Sequence, residues 1–471
     1  MERDAILKDP TRQITQGTIW KQLLLFFFPI LLGSFFQQMY NTVDTIIVGR
    51  FVGTHALAAV GASSPIISLI NGFFIGLSSG ATVILSQHYG AGDHDGSIAA
   101  IHTGAVLAIL LGLTVTLLGI LFSPQILRLT GAPETSIGDA VLYCRIYFSG
   151  SLASMLYNMG AGILRAMGDS RRPTLFLIVA CVTNILLDLL FVVALDWKVA
   201  GVGLATVLSQ VISAVLVTLV LCRHREYPLQ RKALKLHGNL IRRILAIGIP
   251  AGMQYVMFDL SNLIVQAGIN SFGDTTIAAW TAYIKSDAIC WMVSGAFGVA
   301  VTTFVGQNFG AQKYDRVRKS VRVAMAMSLT AMASFSAVLL LFRTFILSIY
   351  TTDTEVIAIG SRMMTHIVAF NVLFIPVEIF AGAMRGTGYS LQPTLITVFF
   401  VCIFRAAWVL IAVTRYHTLE MFTIVYPISW GLASAVFLAV YLRGNWLRKR
   451  IAALGMTPEP IRKPNRGGMK A

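Results

Sequence analysis

The chemistry of this chain is read first from Asp188 and Asn184. They lie in the stretch 176–195, FLIVACVTNILLDLLFVVAL, where nineteen uncharged residues surround one carboxylate. Residues four apart on a helix share a face, so the amide and the acid point the same way. An aspartate at the centre of a membrane helix costs at least about 2.5–3.5 kcal/mol, so an acid kept there is a candidate for function. Asp44, Asp259 and Glu378 meet the same test. Lys285 and Asp287 make a weaker case, because residues two apart do not face each other on a helix.

The first half of the chain gathers more polar groups than the second. Gln37, Gln38, Asn41 and Asp44 follow Pro29, where a kink is expected. Asn158 lies on a fourth apolar segment, Asn184 and Asp188 on a fifth, and Thr206 and Gln210 on one face of a sixth. Carboxylate, amide and hydroxyl oxygens from four helices suit a hard cation. Two carboxylates in a low dielectric also suit proton capture, since burial and like charge both favour the protonated acid. The candidate ion site is therefore Asp44, Asn158, Asn184, Asp188 and Thr206, with Asp44, Asn184 and Asp188 as the ligands of a Na+ ion. Gln37, Asn41, Asp259 and Glu378 are the candidates for lining a substrate cavity. Glu378 and Arg405 could instead neutralise each other, and the sequence leaves the roles of Arg405, Lys285 and Asp287 open.

The elements that must position these groups are membrane helices. The chain has 471 residues, 56% hydrophobic and 12% charged, where a soluble domain carries about 25% charged residues. Uncharged runs of at least twenty residues, such as 103–122 and 423–442, are long enough to cross a hydrocarbon core of about 30 Å as helix. Twelve helices are expected near 20–50, 56–87, 97–122, 137–164, 173–195, 199–222, 241–270, 276–307, 317–349, 357–385, 393–414 and 421–443. The amino terminus is polar and mixed in charge, so no cleaved leader is expected.

The net charge of +16 could point to nucleic acid, but its placement argues otherwise. With the amino terminus inside, 27 of the 37 lysines and arginines fall on the cytoplasmic side. That bias places both termini in the cytoplasm. The basic tail from Arg448 onward reads as attraction to anionic lipid. Five scattered cysteines without a C-x-x-C pair argue against a disulfide framework or a zinc site and read as small buried residues.

The two halves repeat at an offset of 220. GAGILRAMGDSRRPTL from Gly160 and FAGAMRGTGYSLQPTL from Phe380 share 8 of 16 positions. Gln87-His88-Tyr89-Gly90-Ala91 pairs in the same way with Gln307-Asn308-Phe309-Gly310-Ala311. Because the offset spans six helices, both halves enter the membrane in the same direction, about an axis along its normal. Transporters built so hold substrate between the halves and rock them. The expected division is an amino-terminal lobe 1–222, a basic linker 223–243, a carboxy-terminal lobe 244–443 and a basic tail 444–471. Glycine after a helix end and proline at the next start make the repeated motifs cap chemistry. The oxygen cluster does not repeat: at the offset Asp44 becomes Ile264, Asn158 becomes Glu378, Asn184 becomes Phe404 and Asp188 becomes Trp408. An architectural role would appear in both halves, so the cluster reads as an ion site.

The repeated L-R-A-M-G-D-S-R-R-P and M-R-G-T-G-Y-S-L-Q-P, the paired Gln-x-x-Gly-Ala and the twelve helices resemble the multidrug and toxic compound extrusion (MATE) family. The resemblance covers nearly the whole chain. Family members with an amino-lobe ion site carry an Asp fifteen residues after the helix-one proline, an Asn on helix four, N-x-x-x-D on helix five and a Thr on helix six. Asp44, Asn158, Asn184, Asp188 and Thr206 stand at those places. Some branches carry an acid eight residues after the helix-seven proline, where Phe258 stands here and Asp259 follows. The resemblance implies a secondary-active exporter in the cell membrane that uses Na+ or H+ entry to expel amphipathic, cationic drugs or toxins. It implies no cofactor beyond the coupling ion, contact with lipids and a monomer. A lipid-linked oligosaccharide flippase of the same superfamily is the alternative, and it would call for fourteen helices or a strongly basic cavity. No nucleophile–base set, metal-ligand spacing or P-loop is present to suggest an enzyme or direct use of ATP.

Overall fold

The computed structural model describes residues 14–129, 134–443 and 445–453, all in helices and short connections. The first lobe comprises α1 Ile19–Ile47, α2 Thr54–Gly90, α3 His94–Leu129, α4 in two pieces (Ile137–Ser149 and Ser151–Ala166), α5 Arg171–Asp188 and α6 Lys198–Cys222. The second comprises α7 Gly238–Asn270, α8 Asp274–Gly310, α9 Tyr314–Leu341, α10 Thr354–Gly386, α11 Leu391–Ile411 and α12 Leu419–Leu442. A further helix, α13 Asn445–Ala453, follows. Eleven of the twelve spans are single runs long and apolar enough to cross a membrane. The exception is α4, broken at Gly150, where a Cβ would come 2.9 Å from Val207 on α6. The second lobe breaks at the same place in the repeat: α10 passes through a 3-10 turn, Val368–Phe374, just before Pro376.

These elements follow the sequence pattern closely, with three local differences. α9 stops at Leu341 rather than near 349, and Arg343–Ser348 forms a separate short helix. α7 begins at Gly238, so the expected linker boundary at 243 falls inside it, and the connection before it holds only the turn Arg231–Ala233. α1 runs on through Pro29, whose carbonyl accepts a 2.6 Å hydrogen bond from Thr174 of α5. Of the expected tail, α13 packs back on the second lobe through Arg450, whose Nε donates to Thr387 O at 2.9 Å. The rest of the tail and the basic residues Arg3, Lys8 and Arg12 lie outside the described residues. Four cysteines are buried as expected, but Cys222 is exposed at the end of α6.

The lobes meet at the end of the bundle that carries the first and last described residues. Along α2, residues 72–87 are almost all buried, whereas only Ala56, Ala59, Ser63 and Ile66 are buried among 54–71. α8 behaves alike, buried from Ala296 to Phe309 except at Val299. The contact is built on small residues: Gly72, Gly76 and Gly80 of α2 lie against Gly248, Gly252 and Tyr255 of α7. A side chain at Gly76 would strike the backbone of Gly252, so only bare backbone allows helices this close. The segment before α1 straps the same end. Arg316 of α9 donates to the carbonyls of Ile14, Gln16 and Gly17, at 2.8 to 3.2 Å. From Ser68 outward most of α2 is no longer buried.

Candidate functional site

The first lobe brings four of the five expected ion-site residues together. Asp44 is 8% exposed, Asn184 and Asp188 0%, and Thr206 1%. Thr206 Oγ1 donates to Asp44 Oδ2 at 3.5 Å and, more tightly, to its own helix at Val202 O, 2.9 Å. Asn184 and Asp188 lie beside Asp44 without closing a well-formed hydrogen bond to it. Both carboxyl oxygens of Asp188, both amide atoms of Asn184 and Asp44 Oδ1 are buried and unpartnered. No cationic side chain pairs with either acid among the described residues. Two adjacent acids in a low dielectric cannot both stay charged without a counter-charge. The pair must take a proton or a cation, and the unpartnered oxygens offer ligands for a hard monovalent ion. Each acid sits one turn or less before a π-helical turn, Val48–Val52 after Asp44 and Leu189–Ala194 after Asp188. Such turns are frequent at functional sites.

Asn158 stays apart. It is half-buried on α4, and its amide donates to Ser154 O of its own helix at 2.9 Å. Sequence reasoning missed three tyrosines that close the pocket instead. Tyr40 lies near Asp44 and Thr206, and the buried Tyr143 lies in the neighbourhood of both acids. Tyr147 receives a 2.8 Å hydrogen bond from Asn71 of α2 and faces Gln210. Tyr40 could have been found, being four residues before Asp44 on the same face; only the packing of α4 against α2 and α6 reveals the other two.

The expected cavity residues divide. Gln37 and Asn41 are exposed on α1. Asp259 is half-buried where the lobes part, and its Oδ2 accepts from Ser68 Oγ of the other lobe at 3.0 Å. Glu378 lies deeper, over the bare backbone of Gly298. The proposed neutralisation of Glu378 by Arg405 is not formed. Glu378 Oε1 is 3.4 Å from Arg385 Nη2, two turns along the same helix, because α10 directs both side chains to one face. Tyr255 stands beside Glu378, Arg385 and Arg165. A separate, almost wholly apolar cavity of about 620 Å³ opens between α1 and the second lobe, lined by Trp20, Phe27, Phe28, Phe297, Met327 and Phe335 among others.

Arg405 belongs to a different arrangement. It is 3% exposed, donates to Ser261 Oγ and Asn262 Oδ1 at 3.2 Å, and lies 5.0 Å from the ring centre of Tyr426. Asp287, 1% exposed, lies in the same region of the lobe. Its carboxylate accepts from Trp291 Nε1 and Asn371 Nδ2 at 2.8 Å and from Tyr283 OH at 3.3 Å. Lys285 is exposed on another face of α8. Outside the spans, Gly96 N–H and His88 hold the Asp93 carboxyl below its usual range.

A family model described as MatE matches residues 29–190 and 250–411, two stretches that begin at Pro29 and Pro250. The chain is 30% identical over 460 residues to the "Probable multidrug resistance protein YoeA" of Bacillus subtilis, covering 94% of this chain and 98% of that protein. It is 21% identical to the multidrug export protein MepA of Staphylococcus aureus, with 81% and 85% covered. Among solved structures it is similar to one described as the outward-facing conformation of a multidrug resistance MATE family transporter, at a TM-score of 0.86 and 22% identity, with 93% and 98% covered.

Proposed function

Given that the chain belongs to the MATE family of membrane transporters, we propose that it is a cation-coupled exporter of amphipathic, cationic compounds, working by alternating access. One observation carries the reading. The two acids of the first lobe are buried, adjacent and without a cationic partner among the described residues, while α2 is buried at one end and mostly unburied at the other, which we read as a cleft between the lobes open at one end. The positive-inside bias puts the closed end in the cytoplasm, so the form described is outward-open. Asp44, Asn184, Asp188 and Thr206 hold Na+ or a proton that enters from outside. Tyr40 and Tyr143 wall off the site, and Asp259, which has no cationic partner among the described residues, offers a carboxylate to a cationic cargo while Glu378 is paired with Arg385.

Efflux from proteoliposomes, with Na+ and proton gradients imposed separately, tests the reading. Ethidium should be expelled against its own gradient under one of the two; transport that needs neither gradient would refute ion coupling. A cysteine at Lys232 should resist an impermeant maleimide added outside intact cells, and ready labelling would invert the orientation.

A further inference from the structure

The repeated Gln-x-x-Gly-Ala motif does more than end a helix. Gln87 Nε2, at the end of α2, donates to Gly386 O of α10 in the other lobe at 2.9 Å. Gln307 Nε2, at the end of α8, donates to Ala166 O of α4 at 2.6 Å. Donors and acceptors are both 220 residues apart, so the two bonds form a crossed pair about the pseudo-two-fold axis. Both glutamines are almost wholly buried, at 7% and 0% exposure. The acceptors lie in the last turns of α4 and α10, where a helix leaves carbonyls without intrahelical partners. Each lobe thus completes the open helix end of the other.

The glycine of each motif makes the approach feasible. A Cβ at Gly90 would strike the backbone of Gln307, and one at Gly310 would strike that of Gln87. Ser86 lies in the same seam, 0% exposed, with its Cβ 2.9 Å from where a side chain at Gly306 would begin. A hydrogen bond in a dry seam is held by the cost of leaving its groups unpaired, about 1–3 kcal/mol for a buried polar group. Water entering from the adjacent surface would remove that cost, so these bonds can both hold and release.

We propose that Gln87 and Gln307 are a matched latch that sets the balance between the outward-open and inward-open forms, and that both bonds break in every transport cycle. This rests on the alternating-access reading above. The glutamines are positioning residues: they act through the ends of α4 and α10 and touch neither cargo nor coupling ion.

The test uses the full chain in nanodiscs, with Cys222→Ser removing the exposed native thiol and a water-soluble maleimide as probe. Ser86→Cys reports on the closed seam and Ser68→Cys on the open cleft. Gln87→Glu would bring a carboxylate to Arg243, whose Nη2 lies 3.5 Å from Gln87 Oε1, so the donors are removed without adding charge, by Gln87→Leu and Gln307→Leu. Each should speed labelling at Ser86→Cys by at least about fivefold, the effect of one lost buried hydrogen bond. Each should also slow labelling at Ser68→Cys, and the double variant should exceed either single one. Faster labelling at both reporters would mean general loosening and would overturn the latch. So would unchanged labelling in the variants when ethidium alone drives Ser86→Cys to react in the protein with intact glutamines; the access reading would then survive. If Ser86→Cys never reacts with ethidium, Na+ or acid, the seam does not open and the access reading fails together with the latch.

Discussion

The two lobes share a fold and differ in how they handle charge at equivalent places. In the first lobe Thr206 donates to Asp44, and Asp188 stands next to it with no cationic side chain in contact. In the second lobe the residue at Thr206's place in the repeat is Tyr426, and the guanidinium of Arg405 lies over its ring. Asp287 is held by three neutral donors. The second lobe has a fixed cation of its own and a hydrogen-bonded acid, whereas the first has two acids that need a charge from outside. The π turn is not what distinguishes them, since Val409–Val413 repeats Leu189–Ala194 behind Trp408 instead of an acid. The lesson is that a candidate ion site is marked by missing partners more than by polar residues as such.

The strongest way to break this comparison is Asp188→Asn. It keeps the shape of the side chain and removes one of the two charges, so gradient-driven dye efflux should fall to background while membrane insertion stays intact. Efflux at the original rate would place coupling elsewhere. Arg405→Gln probes the other lobe. It leaves Ser261 and Asn262 short of a donor and removes the cation over the Tyr426 ring, so thermal stability should drop by about 1–3 kcal/mol. The ion dependence of efflux should be unchanged; a shift from Na+ to proton dependence, or the reverse, would show that the second lobe also couples.

Glu378→Gln should have a smaller and selective effect. Resistance to cationic dyes should fall more than resistance to neutral compounds, because the cleft floor loses charge but not shape. An equal loss for both, with less protein in the membrane, would make the pair with Arg385 structural. The smallest effect belongs to the turn between α2 and α3. The Asp93 carboxyl is held low by Gly96 and His88, so its contribution is present above the ordinary aspartate range and is lost as pH falls through its depressed value. The group is 45% exposed, and screening limits the contribution to at most ~0.5 kcal/mol. Asp93→Asn should flatten the acid limb of the stability curve by no more than that, and a larger change would mean that the turn supports the lobe.

Much of this was legible without coordinates, and the reason is the solvent. A helix in lipid must satisfy its own backbone and show apolar side chains outward, so span positions, the repeat and the acids worth asking about can be read along the chain. Asp44, Asn184, Asp188 and Thr206 were found in that way, because an acid in hydrocarbon stands out and its helical neighbours are fixed by period. Partners across helices were not legible. Glu378 met Arg385 rather than Arg405, Asn158 turned back to its own helix, and Tyr143 and Tyr147 joined the site from α4. Asp287, discounted because Lys285 could not face it, found donors on its own helix and on α10. The close approach of Gly72, Gly76 and Gly80 to α7 was not singled out from the sequence; it emerged only where the lobes meet. The sequence determined the helices, their repeat and the buried acids, since those depend on local period and on the cost of charge in lipid. The tertiary structure decided which acid is left without a partner and which carbonyl each glutamine reaches, since those depend on how the two lobes meet.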